Sequence, residues 1–321
     1  MSPADGEGGH VSRMTAAAAT AAATAAAARN SVTPNWLLFV FPCIIWGSTW
    51  LVIKYQYGIV PPEASVAYRF LAASLILFAW CRWRGEPLGF TASQHVLLAM
   101  TGGLQFAINY VFVYLAEQYL TSGLVAVVFA LMVIWNLLGA RFLFGQTLSA
   151  ALLIGATCGL VGVALVFWPE VAGVRGDVAQ IKGLVFALLG TLGASAGNLA
   201  TQRLYAQKIP VLPCTAWGML YGSIGTLLYC VAFGIPLVWD SSISYLVSLV
   251  YLTIVGSVVA FGMYLTLLKR IGAGRSGYTS AVIPVLAMLL STFFEDYVWT
   301  PPALAGMLLV MIGNVLVMRR R

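Results

Sequence analysis

The sequence predicts an all-α integral membrane protein: ten transmembrane helices arranged as two inverted five-helix repeats. Three observations predict it. The 321 residues are 61% hydrophobic and 8% charged, against about 25% charged in soluble globular proteins. The apolar residues gather into ten blocks, each near the roughly 20 residues that cross a hydrocarbon core. Lipid obliges each block to satisfy its own backbone, so the blocks are helices. The basic residues sort by side. With the N-terminus placed in the cytoplasm, 13 of the 17 Lys and Arg fall on the inner side and three, Lys54, Arg175 and Lys182, outside; Arg69 falls within a span. Lys and Arg accumulate in cytoplasmic loops, so both termini are expected inside.

Taken in order, residues 1–34 are an Ala/Thr-rich, low-complexity stretch, read as a cytoplasmic tail. The spans follow: Trp36–Tyr55, Ser65–Cys81, Val96–Ala116, Gly123–Phe144, Ala150–Trp168, Ile181–Tyr205, Thr215–Phe233, Tyr245–Leu268, Ser276–Phe294 and Ala303–Met318. Short turns join most of them, as in helical hairpins. Residues 35–170 are expected to form the first repeat and residues 171–321 the second. In the fifth span Ser149 precedes Gly155 and Gly162; in the tenth Thr300 precedes Gly306 and Gly313 at the same spacing. Five helices per half is odd, so the halves lie inverted. Inverted repeats are the architecture of alternating-access carriers, with substrate held between the halves near the bilayer midplane.

The same positions carry a family resemblance. Gly256-Ser257 opens the closing stretch, followed by Gly272-Ala273-Gly274-Arg275-Ser276, Pro284 in mid-helix, the acidic turn at Glu295 and the glycines of the tenth span. Trp46-Gly47-Ser48-Thr49-Trp50 opens the first half, and Tyr68-Arg69-Phe70 lies in the second span. Together they resemble EamA-type transporters of the drug/metabolite transporter superfamily, from about Trp36 to Val317. Two departures stand out: Gln146 occupies a place where the family has Glu, and Val133-Ile134-Trp135 fills a stretch where it often has proline.

Polar side chains inside a membrane are expensive and tend to face a cavity or another helix. Gln105 and Asn109 lie four apart on one face of the third span, and Tyr110 and Tyr114 lie four apart on the neighbouring stripe. Trp46 and Ser48 in the first span, Trp135 in the fourth, Asn198 in the sixth, Tyr264 in the eighth and Tyr278 in the ninth complete a candidate substrate lining. Helix–helix hydrogen bonding competes for the Ser and Asn residues. Arg69 and Pro284 are assigned gating or structural roles. Arg69 would anchor or pair helices, or snorkel outward; Pro284 would kink its helix.

No Asp or Glu falls in mid-span, which argues against coupling through a central carboxylate. No Lys or Arg pair is central either, which argues against a phosphorylated substrate. A neutral or zwitterionic metabolite with an apolar part fits best. Within the resembled family, amino-acid exporters of bacterial inner membranes match that description. A drug, cation or nucleotide/sugar-type carrier of the same superfamily, or a channel, remains the alternative. The five cysteines form no C-x-x-C pair, and neither histidine, His10 or His95, lies in mid-span. No metal, cofactor or catalytic centre is expected. The expected partners are a small-molecule substrate and the bilayer, not nucleic acid, and a monomer is consistent with the architecture.

Overall fold

The computed structural model describes residues 33–145, 150–168, 178–264, 266–267 and 279–318. Met1–Leu38 forms one unit, of which residues 33–38 are described, as the start of the first helix; Phe39–Arg321 forms a second, compact unit. Among the described residues every regular element is helical. Seven helices are long and apolar enough to cross a membrane. They are α1 (Asn35–Gln56), α2 (Pro62–Trp83), α3 (Ala92–Glu117), α4 (Ser122–Leu143), α6 (Val178–Ala206), α7 (Val211–Ala232) and α8 (Ile243–Tyr264). Three further apolar helices are shorter in their described length: α5 (Ala150–Val166), α9 (Thr279–Phe294) and α10 (Pro301–Met318).

Local chemistry sets the ends. Pro62 starts α2, where its missing N–H is one the helix would leave unbonded anyway. The helix closes at Gly85, whose φ of +68° only glycine adopts freely, with Glu86 N–H donating back to Cys81 O at 2.9 Å. Helix α7 repeats the device: Pro210 precedes it, Gly234 has φ +65°, and Ile235 N–H donates to Cys230 O at 2.8 Å. At the start of α3, Thr91 and Gln94 form a reciprocal cap, Thr91 Oγ1 accepting from Gln94 N–H and Gln94 Oε1 from Thr91 N–H. Thr91→Ala is expected to lower stability by about 1 kcal/mol, read as a modest fall in the detergent melting temperature without loss of transport.

Two helices are locally overwound outward. Residues Gly103–Ile108 of α3 and Tyr251–Val259 of α8 are π-helical. A π turn frees carbonyls from the ordinary ladder, and here they are reused. Asn109 Nδ2 donates to Gln105 O at 3.1 Å, Ser257 Oγ donates to Leu252 O at 2.9 Å, and Trp46 Nε1 of α1 donates to Gly256 O at 3.1 Å. Helix α4 is interrupted too. Ala130 and Leu131 form a turn between Phe129 and Met132, bonded by short i→i−3 contacts such as Leu131 N–H to Val128 O at 3.0 Å. A continuous fourth helix was expected over Gly123–Phe144; the turn arises with neither proline nor glycine in it, so local residue preference gives no sign of it.

Glycine faces set the closest helix contacts. Gly162 of α5 and Gly306 of α10 meet backbone to backbone: a Cβ on Gly162 would lie 2.9 Å from Val310 N, and one on Gly306 2.8 Å from Val166 N. One turn pair further on, a Cβ on Gly313 would lie 3.0 Å from Gly159 N. Gly102 of α3 faces Gly222 and Tyr221 of α7 in the same way, and Gly193 and Gly197 of α6 let Asn109 and Gln105 of α3 approach. Small residues at such spacing allow the close van der Waals packing that holds helices together in lipid. The outward faces stay apolar, as the stripe Ile181, Val185, Leu189 and Leu192 on α6 illustrates.

Candidate functional site

The principal cavity, of about 220 Å³, lies among α1, α2, α3, α4, α6, α8 and α9. One wall is aromatic. Trp46 packs against Phe261 and Tyr264, both at 5.2 Å between ring centroids, and Trp50 meets Phe129 edge-on at 5.2 Å. The other wall is polar. Gln105 and Asn109 project from the π-helical part of α3, and Asn198 of α6 faces Met132, its Nδ2 3.5 Å from the sulfur. The α4 turn contributes Phe129, Ala130 and Met132 directly.

Eight of the residues singled out from the sequence line this cavity: Trp46, Gln105, Asn109, Tyr110, Asn198 and Tyr264, with Arg69 and Pro284. Three others are engaged elsewhere. Ser48 sits 2.7 Å from the Tyr251 hydroxyl and donates to Ile45 O, joining α1 to α8. Trp135 Nε1 donates to Thr191 Oγ1 at 3.0 Å, joining α4 to α6. Tyr114 is fully buried, and its hydroxyl donates to Gln56 Oε1 at 2.7 Å. Tyr278 lies outside the described residues. Sequence reasoning missed Thr49, Trp50, Phe129, Met132, Phe261 and Ile283. Trp50 carried a usable signal, because it lies four residues after Trp46 on the same helical face. Phe129 and Met132 carried none, since the α4 turn re-aims them.

Arg69 does not snorkel to the interface. Its side chain is 1% exposed. Nε donates to Ser257 Oγ at 3.2 Å and Nη1 to the Tyr114 hydroxyl at 3.4 Å, while the guanidinium carbon sits 4.9 Å from the Tyr110 ring centre and 5.1 Å from that of Phe70. Three cavity-wall atoms have no hydrogen-bond partner within the protein: Trp50 Nε1, a donor, and Gln105 Oε1 and Asn109 Oδ1, both acceptors.

A second polar cluster joins helix ends beyond Tyr114. Lys54 Nζ lies 3.4 Å from Glu295 Oε1 and donates to the carbonyls of Glu117 and Leu120 at 2.6 and 2.7 Å. Glu295 in turn accepts from Ser122 N–H at 3.0 Å and from the hydroxyls of Ser122 and Ser291. It therefore does for α4 what an N-cap side chain would do, from a different helix. The Glu117 carboxylate is buried beside this cluster and accepts no hydrogen bond. Tyr57, in the connection after α1, donates to Tyr114 O at 2.7 Å. Burial first, and then the Glu117 charge, holds its hydroxyl well above the usual tyrosine range, so it stays a donor.

Comparison with known proteins bears on the whole chain. The model of the EamA-like transporter family matches it twice, over residues 34–168 and 181–319. The uncharacterized inner membrane transporter YedA of Escherichia coli strain K12 is 29% identical, over 78% of this chain and 79% of its own length. A probable amino-acid metabolite efflux pump of Salmonella typhimurium is 23% identical, over 84% of this chain and 90% of its own. A solved crystal structure superposes with a TM-score of 0.64 at 22% identity, covering 87% of this chain and 94% of the other, which marks a shared fold.

Proposed function

The chain belongs to the EamA-like transporter family, within the drug/metabolite transporter superfamily, and from that premise we propose that it is a secondary carrier that exports amino acids or related zwitterionic metabolites by alternating access. In this reading ten helices form two inverted halves, residues 35–170 and 171–321. The protein sits in the bacterial inner membrane with both termini in the cytoplasm and residues 1–34 as a tail.

The observation that carries the substrate reading is the cavity itself. It is one-sidedly aromatic, and its other wall presents amide groups and a single guanidinium. At about 220 Å³ it is smaller than the roughly 300–1,000 Å³ of sites for drug-sized ligands, which favours a single small metabolite over a nucleotide sugar. The printed name of the Salmonella relative points the same way. The repeat reading is supported by paired details. The third and eighth helices both carry a π stretch; the second and seventh both begin at proline and end at glycine. The family model also matches once in each half.

Alternating access needs closure on one side at a time. The Lys54–Glu295 pair links the first half to the second at the ends expected to face outward, so the outer side is the closed one in this reading. Purified protein in liposomes is expected to exchange labelled neutral amino acids with saturation and trans-stimulation. Ohmic current would support a channel instead, and uptake equal to that of empty liposomes across a broad panel would sink the carrier reading. Trp50→Phe removes one N–H and keeps the ring. It is expected to raise the transport KM about fivefold, the order of one neutral hydrogen bond, with the melting temperature unchanged.

A further inference from the structure

Resting on the carrier reading, we propose that Arg69 is the substrate-carboxylate anchor of the cavity. The ligand is a zwitterion whose carboxylate meets the Arg69 guanidinium and whose ammonium group meets Gln105 Oε1 and Asn109 Oδ1. Its apolar side chain lies on the Trp46–Trp50 wall.

The argument starts from an unmatched charge. Arginine keeps its charge in proteins, and an ion withdrawn from water is costly unless a counter-charge and hydrogen bonds replace the solvent. Arg69 is 1% exposed, yet its hydrogen-bond partners are two neutral hydroxyls, one of them at 3.4 Å, and its flanks are the Phe70 and Tyr110 rings. Among the described residues the one ion pair is Lys54–Glu295, which does not include it. Glu117, the other buried carboxylate, accepts no hydrogen bond and so does not reach the guanidinium. A structural arginine of this depth would be expected to hold a carboxylate fork to fork; this one lines a cavity instead.

The polarity of the other free atoms fits the complementary end of the same ligand. Gln105 Oε1 and Asn109 Oδ1 are buried acceptors without donors, both on the cavity wall. An ammonium group supplies up to three donors. A free carboxylate elsewhere in the wall would have argued for a purely cationic ligand, but the described lining contains none. Cation, paired acceptors and an aromatic face in one small chamber therefore ask for a carboxylate, an ammonium and an apolar group on one small molecule.

The test uses the full-length protein in detergent and in liposomes, with L-phenylalanine and L-leucine as probes. Each is compared with its methyl ester and with the corresponding amine lacking the carboxylate. The unmodified protein is expected to bind the ester and the amine about tenfold or more weakly than the amino acid, the order of a charge-assisted hydrogen bond. In Arg69→Gln that discrimination is expected to shrink to within about twofold, and in Arg69→Lys to be partly retained, because the charge survives while the planar fork is lost. A merely structural Arg69 would change stability without changing the acid-to-ester ratio. Should Arg69→Gln fail to fold, the ligand series on the unmodified protein still decides. Ester and amine binding within twofold of the amino acid, with transport intact, overturns the anchor and leaves the carrier reading standing. No binding by any member of the panel overturns the amino-acid reading and the anchor with it.

Discussion

Gly306→Leu is expected to abolish folded, monodisperse protein. The reason lies in the α5–α10 contact, where two backbones meet with no side chain between them. Even a single methyl at Gly306 would stand 2.8 Å from both Val166 N and Val166 Cγ2, closer than real side chains come, and it would press on the Gly162 carbonyl. The obstructing atoms are backbone, so no rotamer change relieves them. The helices must separate, and Gly162 and Gly313 then lose their partners as well. Overpacking a well-fitted site costs about 1–3 kcal/mol when side chains can adjust; with rigid backbone in the way and a whole glycine face disengaged, more is expected. Size-exclusion profile and melting temperature in detergent are the measurements. Gly225→Ala is the control: a Cβ there meets nothing within 4 Å, so stability should hold or rise slightly, since alanine is the better helix former. A well-folded Gly306→Leu protein would show that the α5–α10 contact does not set the fold.

Glu295→Ala should produce the second large effect, a loss of about 3 kcal/mol. One carboxylate answers several groups at once. It pairs with Lys54 and accepts from Ser122 N–H and from the Ser122 and Ser291 hydroxyls. Removal strands the N-terminal donors of α4 in a place where water is scarce. The Lys54 contribution is discounted, because that side chain is 28% exposed and water recovers part of what the ion pair supplied. Glu295→Gln keeps an acceptor and should recover about half the loss. A double-mutant cycle with Lys54→Met isolates the ion pair, expected at about 1 kcal/mol. If Glu295→Ala melts like the parent protein, the cap has no energetic weight and water already serves the α4 terminus.

Much of the architecture was legible because membrane insertion is a local property. A block such as Val211–Ala232 needs only enough consecutive apolar residues, and the sequence displays them directly. Helix ends were legible to within a few residues for the same reason. The expected sixth span, Ile181–Tyr205, is observed as Val178–Ala206, and prolines and glycines mark the boundaries of α2 and α7. Family membership was legible from Trp46-Gly47-Ser48-Thr49-Trp50 and the glycines of α10, because those residues stand at fixed spacings.

The candidate site was legible only in part. Ser48 and Thr49 are neighbours in sequence, yet Thr49 lines the cavity while Ser48 is turned toward Tyr251. Trp135 and Trp50 look equivalent on paper, but one bonds Thr191 and the other leaves its N–H in the chamber wall. The Lys54–Glu295 link joins residues 241 positions apart by their numbering, at two helix ends that each read simply as a charged loop.

What the chain determined by itself was its class: apolar runs, charge asymmetry and glycine spacing specify a helical membrane protein of this family, since each depends on residues close together in sequence. What only the tertiary structure decided was which face of each helix points at the cavity. In lipid nearly every face is apolar, so the rotation of a helix about its axis is not written in its hydrophobic pattern. Packing against neighbours sets it, through the glycine contacts of α3, α5, α6 and α10 and through π stretches and a turn that shift the register midway along α3, α8 and α4.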